Sequence, residues 1–122
     1  MEFFRQIAAR ATPEVLRQVL VVPALPRYCD VIDTLVAEDG PDAGTVYCLW
    51  GEFRVNRECI NGGVRFTLPD CPNGLAWTLT TGHPPNPDDV VLHLTINRRE
   101  HEPDFVESLE AFADAWTLPD PD

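Results

Sequence analysis

Thiols and imidazoles are the first side chains to weigh, because they are the ones that could bind a metal or attack a substrate. The chain has Cys29, Cys48, Cys59 and Cys71, with His83, His93 and His101. Zinc ribbons, knuckles and fingers take their ligands from closely spaced pairs, since a tight turn must aim two sulfurs at one ion. No CxxC pair occurs here. A metal- or thiol-dependent role would therefore use Cys48 together with Cys59, Cys71 or His93 from separate segments. A nucleophilic thiol also needs a basic neighbour to hold it as thiolate, and strand alternation offers Cys48 only Arg54 and His93. The plainer expectation is that the cysteines are free thiols acting as small apolar residues. The chain has no phosphate-binding Gly loop, G-x-S-x-G elbow, HExxH or EF-hand pattern. No catalytic residue, metal site or cofactor is assigned.

Two other groupings suit binding. Trp50, Glu52 and Arg54 alternate along one expected strand, and Arg65 and His93 fall on the same sheet face from later strands, among Thr67, Thr78, Thr80, Thr95 and Asn97. Trp and Arg are the side chains that anchor interfaces, although threonines on a solvated face would also explain the pattern. Glu107, Glu110 and Asp114 recur along one side of the expected C-terminal helix, opposite its apolar stripe. They form either a solvated helix face or a docking ridge for a basic partner.

The elements that must position these groups follow from hydrophobic period. Phe3, Phe4 and Ile7 sit at helical spacing within Glu2 to Arg10. Thr12-Pro13-Glu14 reads as an N-cap, a proline at the first helical position and an acid in the first turn, ahead of Val15, Leu16, Val19 and Leu20. After Pro23 and Pro26, the residues Tyr28, Val31, Ile32 and Leu35 resume the helical rhythm. The first third is thus expected to be helical, up to the turn cluster Glu38 to Gly44. From Thr45 the period falls to two. One strand is expected over 45–58, with Tyr47, Leu49, Phe53 and Val55 inward and Gly51 a candidate bulge. Asn61-Gly62 signals a type I′ hairpin, and strands follow over 63–68, 75–81 and 90–97. Asp104 to Trp116 reads as a helix with Asp104 at its N-cap and Phe105, Leu109, Phe112 and Trp116 on one side. The expected fold is α+β: N-terminal helices, a four-stranded antiparallel β-meander, and a C-terminal amphipathic helix packed on the sheet. The domain spans 1–118, with 119–122 a frayed acidic tail.

Composition limits the partners. The 122 residues carry 20 acidic side chains against 9 basic ones, all Arg, for a net charge of −11. Such a surface disfavours direct contact with nucleic acid or anionic membrane, which demand a positive face. The N-terminus lacks a secretory pattern, no apolar run could span a bilayer, and a reducing, cytoplasmic setting is expected. In outline, the order helices, meander, helix, with the hairpin Ile60-Asn61-Gly62-Gly63-Val64 and the strong acidity, resembles the frataxin family of acidic iron-handling proteins. That family carries its acidic ridge on the first helix, whereas Glu2 to Arg10 holds one acid and two Arg, so no iron site is carried over. Small acidic chaperones of secreted effectors resemble the same outline and dimerise. The sequence therefore points to a non-enzymatic protein-interaction module: an accessory subunit, chaperone-like factor or inhibitor. Its partner is a protein, basic by charge complementarity, or a second copy in a homodimer. Its binding residues are Trp50, Glu52, Arg54, Arg65, His93, Glu107, Glu110 and Asp114.

Overall fold

A computed structural model describes residues 1–84, 87–97 and 101–118. The expected tail at 119–122 lies outside the described residues. The element order is β1 (Glu2–Ile7), α1 (Pro13–Val19), a 3-10 turn (Val22–Ala24), α2 (Leu25–Tyr28), β2 (Ile32–Glu38), β3 (Ala43–Cys48), β4 (Gly51–Ile60), β5 (Gly63–Thr67), β6 (Ala76–Thr80), β7 (Val90–Thr95) and α3 (Pro103–Asp114). All strands join one seven-stranded sheet in the order β1-β7-β6-β5-β4-β3-β2, with every pair antiparallel. The chain begins at one edge, crosses to the other through α1 and α2, and meanders back to meet its own first strand.

This arrangement corrects the four-stranded meander in three places. Residues 2–7 are a strand, not a helix: Phe3 and Ile7 turn inward, Phe4 and Gln6 outward, along the pairing of Glu2–Ile7 with Thr95–Val90. Six residues cannot distinguish the two periods, and pairing with β7 decides for extended chain. The second helical run also fails. Pro23 and Pro26 start a 3-10 turn and the short α2, and the β-branched Val31, Ile32, Thr34 and Val36 then favour a strand. Finally, the expected strand over 45–58 is two strands joined at Leu49-Trp50, where Gly51 takes φ +111°. A two-residue turn reverses which parity faces inward. Val46 and Cys48 are buried while Tyr47 and Leu49 are exposed, yet Val55 beyond the turn is buried. With the meander goes the outline resemblance to frataxins and effector chaperones.

Local chemistry explains the other boundaries. Thr12 Oγ1 accepts from the Val15 amide at 3.2 Å and Pro13 occupies the first turn of α1. Asn61-Gly62 turns β4 into β5, but only Gly62 has positive φ among these residues, so the turn is not type I′. At Gly63 a Cβ would come within 2.0 Å of the Leu79 carbonyl oxygen, so the β5–β6 approach admits only glycine. The N-cap of α3 is Glu102 rather than Asp104, with Pro103 starting the helix.

The core lies on one face of the sheet. Trp77 centres it, with ring centroids 5.3 Å from Phe66, 5.0 Å from Phe112 and 6.0 Å from Trp116. Leu16 of α1, its C-cap residue Leu20, Leu25 of α2 and Leu109 of α3 close over Val64, Leu79, Leu92 and Leu94. Arg57 lies on this side with its side chain only 5% exposed. Its guanidinium donates to the carbonyls of Leu20 (2.7 Å) and Arg17 and to Asp42 Oδ1 (2.7 Å), holding the carboxyl end of α1 onto β4.

Candidate functional site

Among the described residues no helix covers the opposite sheet face, and register lines its side chains up in rows. Glu58, Arg65, Thr78, His93 and Phe4 stand directly across from one another on successive strands. In a flanking row are Ile60, Gly63, Thr80, Val91 and Gln6. Toward the other edge Tyr47 faces Glu52 and Thr45 faces Arg54. Opposed residues of this kind are near enough to interact across the strands. Phe4 is 59% exposed and Tyr47 51%, large apolar surfaces left in water on an otherwise mostly polar face.

Their surroundings hold them in place. The Phe4 and His93 rings stack with centroids 4.2 Å apart and planes 3° from parallel. His93 Nε2 lies 3.0 Å from a Glu2 carboxylate oxygen. Arg65 donates to Glu58 at 2.8 Å and Arg54 to Asp39 at 3.0 Å. Both pairs are well exposed, so they orient the side chains more than they stabilise the fold. Beside Phe4 a groove of about 410 Å³ runs between the sheet and the segment after β6.

The structure therefore gathers Glu52, Arg54, Arg65 and His93 on one face. Trp50 is separated from them. It is half-buried under α3, donates its indole N–H to Ser108 Oγ at 2.9 Å and packs 5.1 Å from Phe112. Glu107, Glu110 and Asp114 are exposed on α3, and Asp114 is taken by Arg5 at 2.6 Å. Sequence reasoning missed Phe4, Gln6, Tyr47 and Asp89. Strand parity would have exposed Phe4 and Gln6 had residues 2–7 been read as extended, and Tyr47 had the turn at 49–50 been seen.

The thiols offer little chemistry. Cys48 is buried on the core side, its Sγ 3.3 Å from the Gly51 carbonyl, and so lies on the opposite face from His93 and Arg54. Burial pushes its pKa up, and burial pushes the Cys29 thiol from 9.0 to about 12. Cys59 is exposed and Cys71 half-buried. Among the described residues no group of three His, Cys, Asp or Glu side chains is placed to hold a metal ion. Between α3 and the sheet, Trp50, Phe53, Leu68, Cys71, Leu75 and Phe105 border a cavity of about 140 Å³. Trp77, Phe112 and Trp116 pack against one another in the adjoining core, and among the described residues the buried indole N–H groups of Trp77 and Trp116 have no hydrogen-bond partner. Among the described residues no helix is long and apolar enough to cross a membrane.

No family model matches the chain, and no curated protein matches it. Solved structures do resemble it. An uncharacterised protein from Bacillus thuringiensis superposes with a TM-score of 0.56 at 12% identity, covering 94% of this chain and 96% of that one. The protein XoxI from Bacillus cereus gives 0.56 at 13%, covering 94% of each chain. A START superfamily protein from Mycobacterium smegmatis gives 0.56 at 16%, covering 94% and 92%. At such identities the likeness is one of fold alone: the seven-stranded antiparallel sheet with short helices resembles START-like folds.

Proposed function

We propose that this chain is a non-enzymatic binding module that docks a protein partner on the helix-free face of its sheet. The observation that carries the reading is the pairing of Phe4 and Tyr47, each more than half exposed, with Arg54, Arg65 and His93 on that face. Aromatics and Arg are what interface centres are enriched in, because they bury much area at low entropic cost and keep a polar handle. A catalytic reading lacks comparable support, since burial disfavours the thiolate form of Cys29 and Cys48. The net charge of −11 favours a basic partner over a second copy, whose equal charge would repel this one.

The test is capture from the source organism's lysate on the immobilised full chain, beside a triple variant Tyr47→Ala, Arg54→Ala, Arg65→Ala. All three positions are exposed, so far-UV circular dichroism should match wild type. The reading expects one stoichiometric protein on wild type and at least a tenfold loss on the variant. Equal capture by both would remove the sheet face from consideration and turn attention to Glu107 and Glu110.

A further inference from the structure

The groove at the Phe4 end of this face has a chemistry of its own. Thr78 and Thr80 of β6 lie directly across from His93 and Val91 of β7, and these four residues form its floor. Phe4 and Gln6 of β1 form one wall. Thr81, His83, Pro84 and Asp89 form the opposite wall. It is fastened where Thr81 Oγ1 donates to the Asp89 carbonyl at 2.8 Å and the Gly82 amide donates to the Pro87 carbonyl at 2.9 Å. Asp89 is the one carboxylate among the described lining residues, which include no Arg. Gln6 Nε2 donates to Asp89 Oδ2 at 2.6 Å, fixing the carboxylate and leaving its other oxygen without a described donor. Glu2 adds a second negative charge on the same side of the sheet, across from Thr95 and beside His93.

We propose that this groove receives an arginine side chain of the protein partner. The proposal rests on the reading above that the face docks a protein. A guanidinium is planar, stacks on aromatic rings, and donates through a fixed fork that suits a carboxylate held at one wall. The Phe4–His93 pair supplies the aromatic surface: His93 covers one face of the Phe4 ring, and the exposed remainder of Phe4 and the His93 ring both border the groove. The Thr78 and Thr80 hydroxyls can accept the remaining N–H groups. An anion is opposed by Asp89, by Glu2 and by the net charge. A lysine ammonium would pair with Asp89 but has no flat surface to lay on Phe4.

The test is a titration of the ¹⁵N-labelled full chain with the blocked peptide acetyl-Gly-Arg-Gly-amide, its citrulline and lysine counterparts, and free L-arginine. The expected result is saturable shifts at the Thr78, Thr80, Val91 and His93 amides with the arginine peptide. Affinity should fall at least tenfold in Asp89→Asn and in Phe4→Ala, and at least tenfold with citrulline, which keeps the shape and loses the charge. Equal binding of citrulline or lysine, or saturable shifts confined to other residues, would overturn the guanidinium assignment. Binding of free L-arginine as tight as the peptide would overturn the partner and make the groove an amino-acid site. If the peptide fails while the triple variant still abolishes partner capture, the groove is wrong and the face stands. If the peptide binds while the triple variant captures normally, the groove keeps its specificity and its assignment to a docked partner fails.

Discussion

At the scale of single residues, the fold and the proposed site place opposite demands on arginine. Arg57 is buried and structural, whereas Arg54 and Arg65 are exposed and paired to carboxylates at the surface. Composition cannot separate these roles, and neither can strand parity alone, because Arg57 sits on the inward face where an apolar residue is the usual occupant. What settles it is the position of α1, whose last carbonyls need donors. Arg57→Ala would orphan two of these carbonyls, and since each buried unsatisfied group costs about 1–3 kcal/mol, a loss of about 2–5 kcal/mol is expected. Arg57→Lys should recover only part, since one ammonium cannot reproduce the fork. Asp42→Asn, at a carboxylate 64% exposed, should cost less than about 1 kcal/mol. Urea denaturation of the three variants checks the ordering, and a small loss for Arg57→Ala would show that α1 is held by its apolar face alone. The same contrast bears on Cys48: the sequence favours a small apolar thiol over a reactive one beside Arg54 and His93, and the turn at Leu49-Trp50 puts it on the other side of the sheet from both.

At the scale of elements, what could be read and what could not divide by the range of the deciding interactions. The strands β5, β6 and β7 show clean alternation of Val64 and Phe66, Trp77 and Leu79, and Leu92 and Leu94, which local pattern supplies. β1 is decided by a partner some ninety positions away, as Phe3 opposite Leu94 illustrates, and six residues of mixed period carry no trace of that pairing. β2 was hidden because Tyr28, Val31, Ile32 and Leu35 satisfy a helical spacing while forming the end of one short helix and the start of a strand. The helix α3 was legible from its stripe, and its anchoring can be graded. Phe112 is 1% exposed and packs between Trp50, Trp77 and Trp116, so Phe112→Ala should cost about 3–5 kcal/mol. Ser108→Ala removes the acceptor of the half-buried Trp50 indole and should cost only about 1 kcal/mol. Thermal or urea unfolding measures both. Equal costs would mean that the β3–β4 turn, rather than the aromatic cluster, is what secures α3 to the sheet.

At the scale of the whole molecule, the two sheet faces differ in kind. One is sealed by three helices around Trp77, Phe112 and Trp116, and the other is open to water with its aromatic and Arg side chains in rows. The edges are poor sites for adding a strand at one end: β2 shifts register twice and runs into Glu38 and Asp39, devices that discourage edge pairing. The acidity acts over the whole surface and would speed encounter with a basic partner in a salt-dependent way. The sequence carried this charge in full, together with Glu52, Arg54, Arg65 and His93 as members of one face. It did not carry the face's aromatics, because Phe4 and Tyr47 are outward only by virtue of a strand and a turn that long-range pairing creates. The most direct measurement is hydroxyl-radical footprinting of the wild-type chain, free and in complex with its captured partner. The account predicts that modification of Phe4, Tyr47 and His93 falls severalfold on binding while Phe105 on the helix side is unchanged. Unchanged modification at Phe4 and Tyr47, with protection moving to the α3 side, would contradict it.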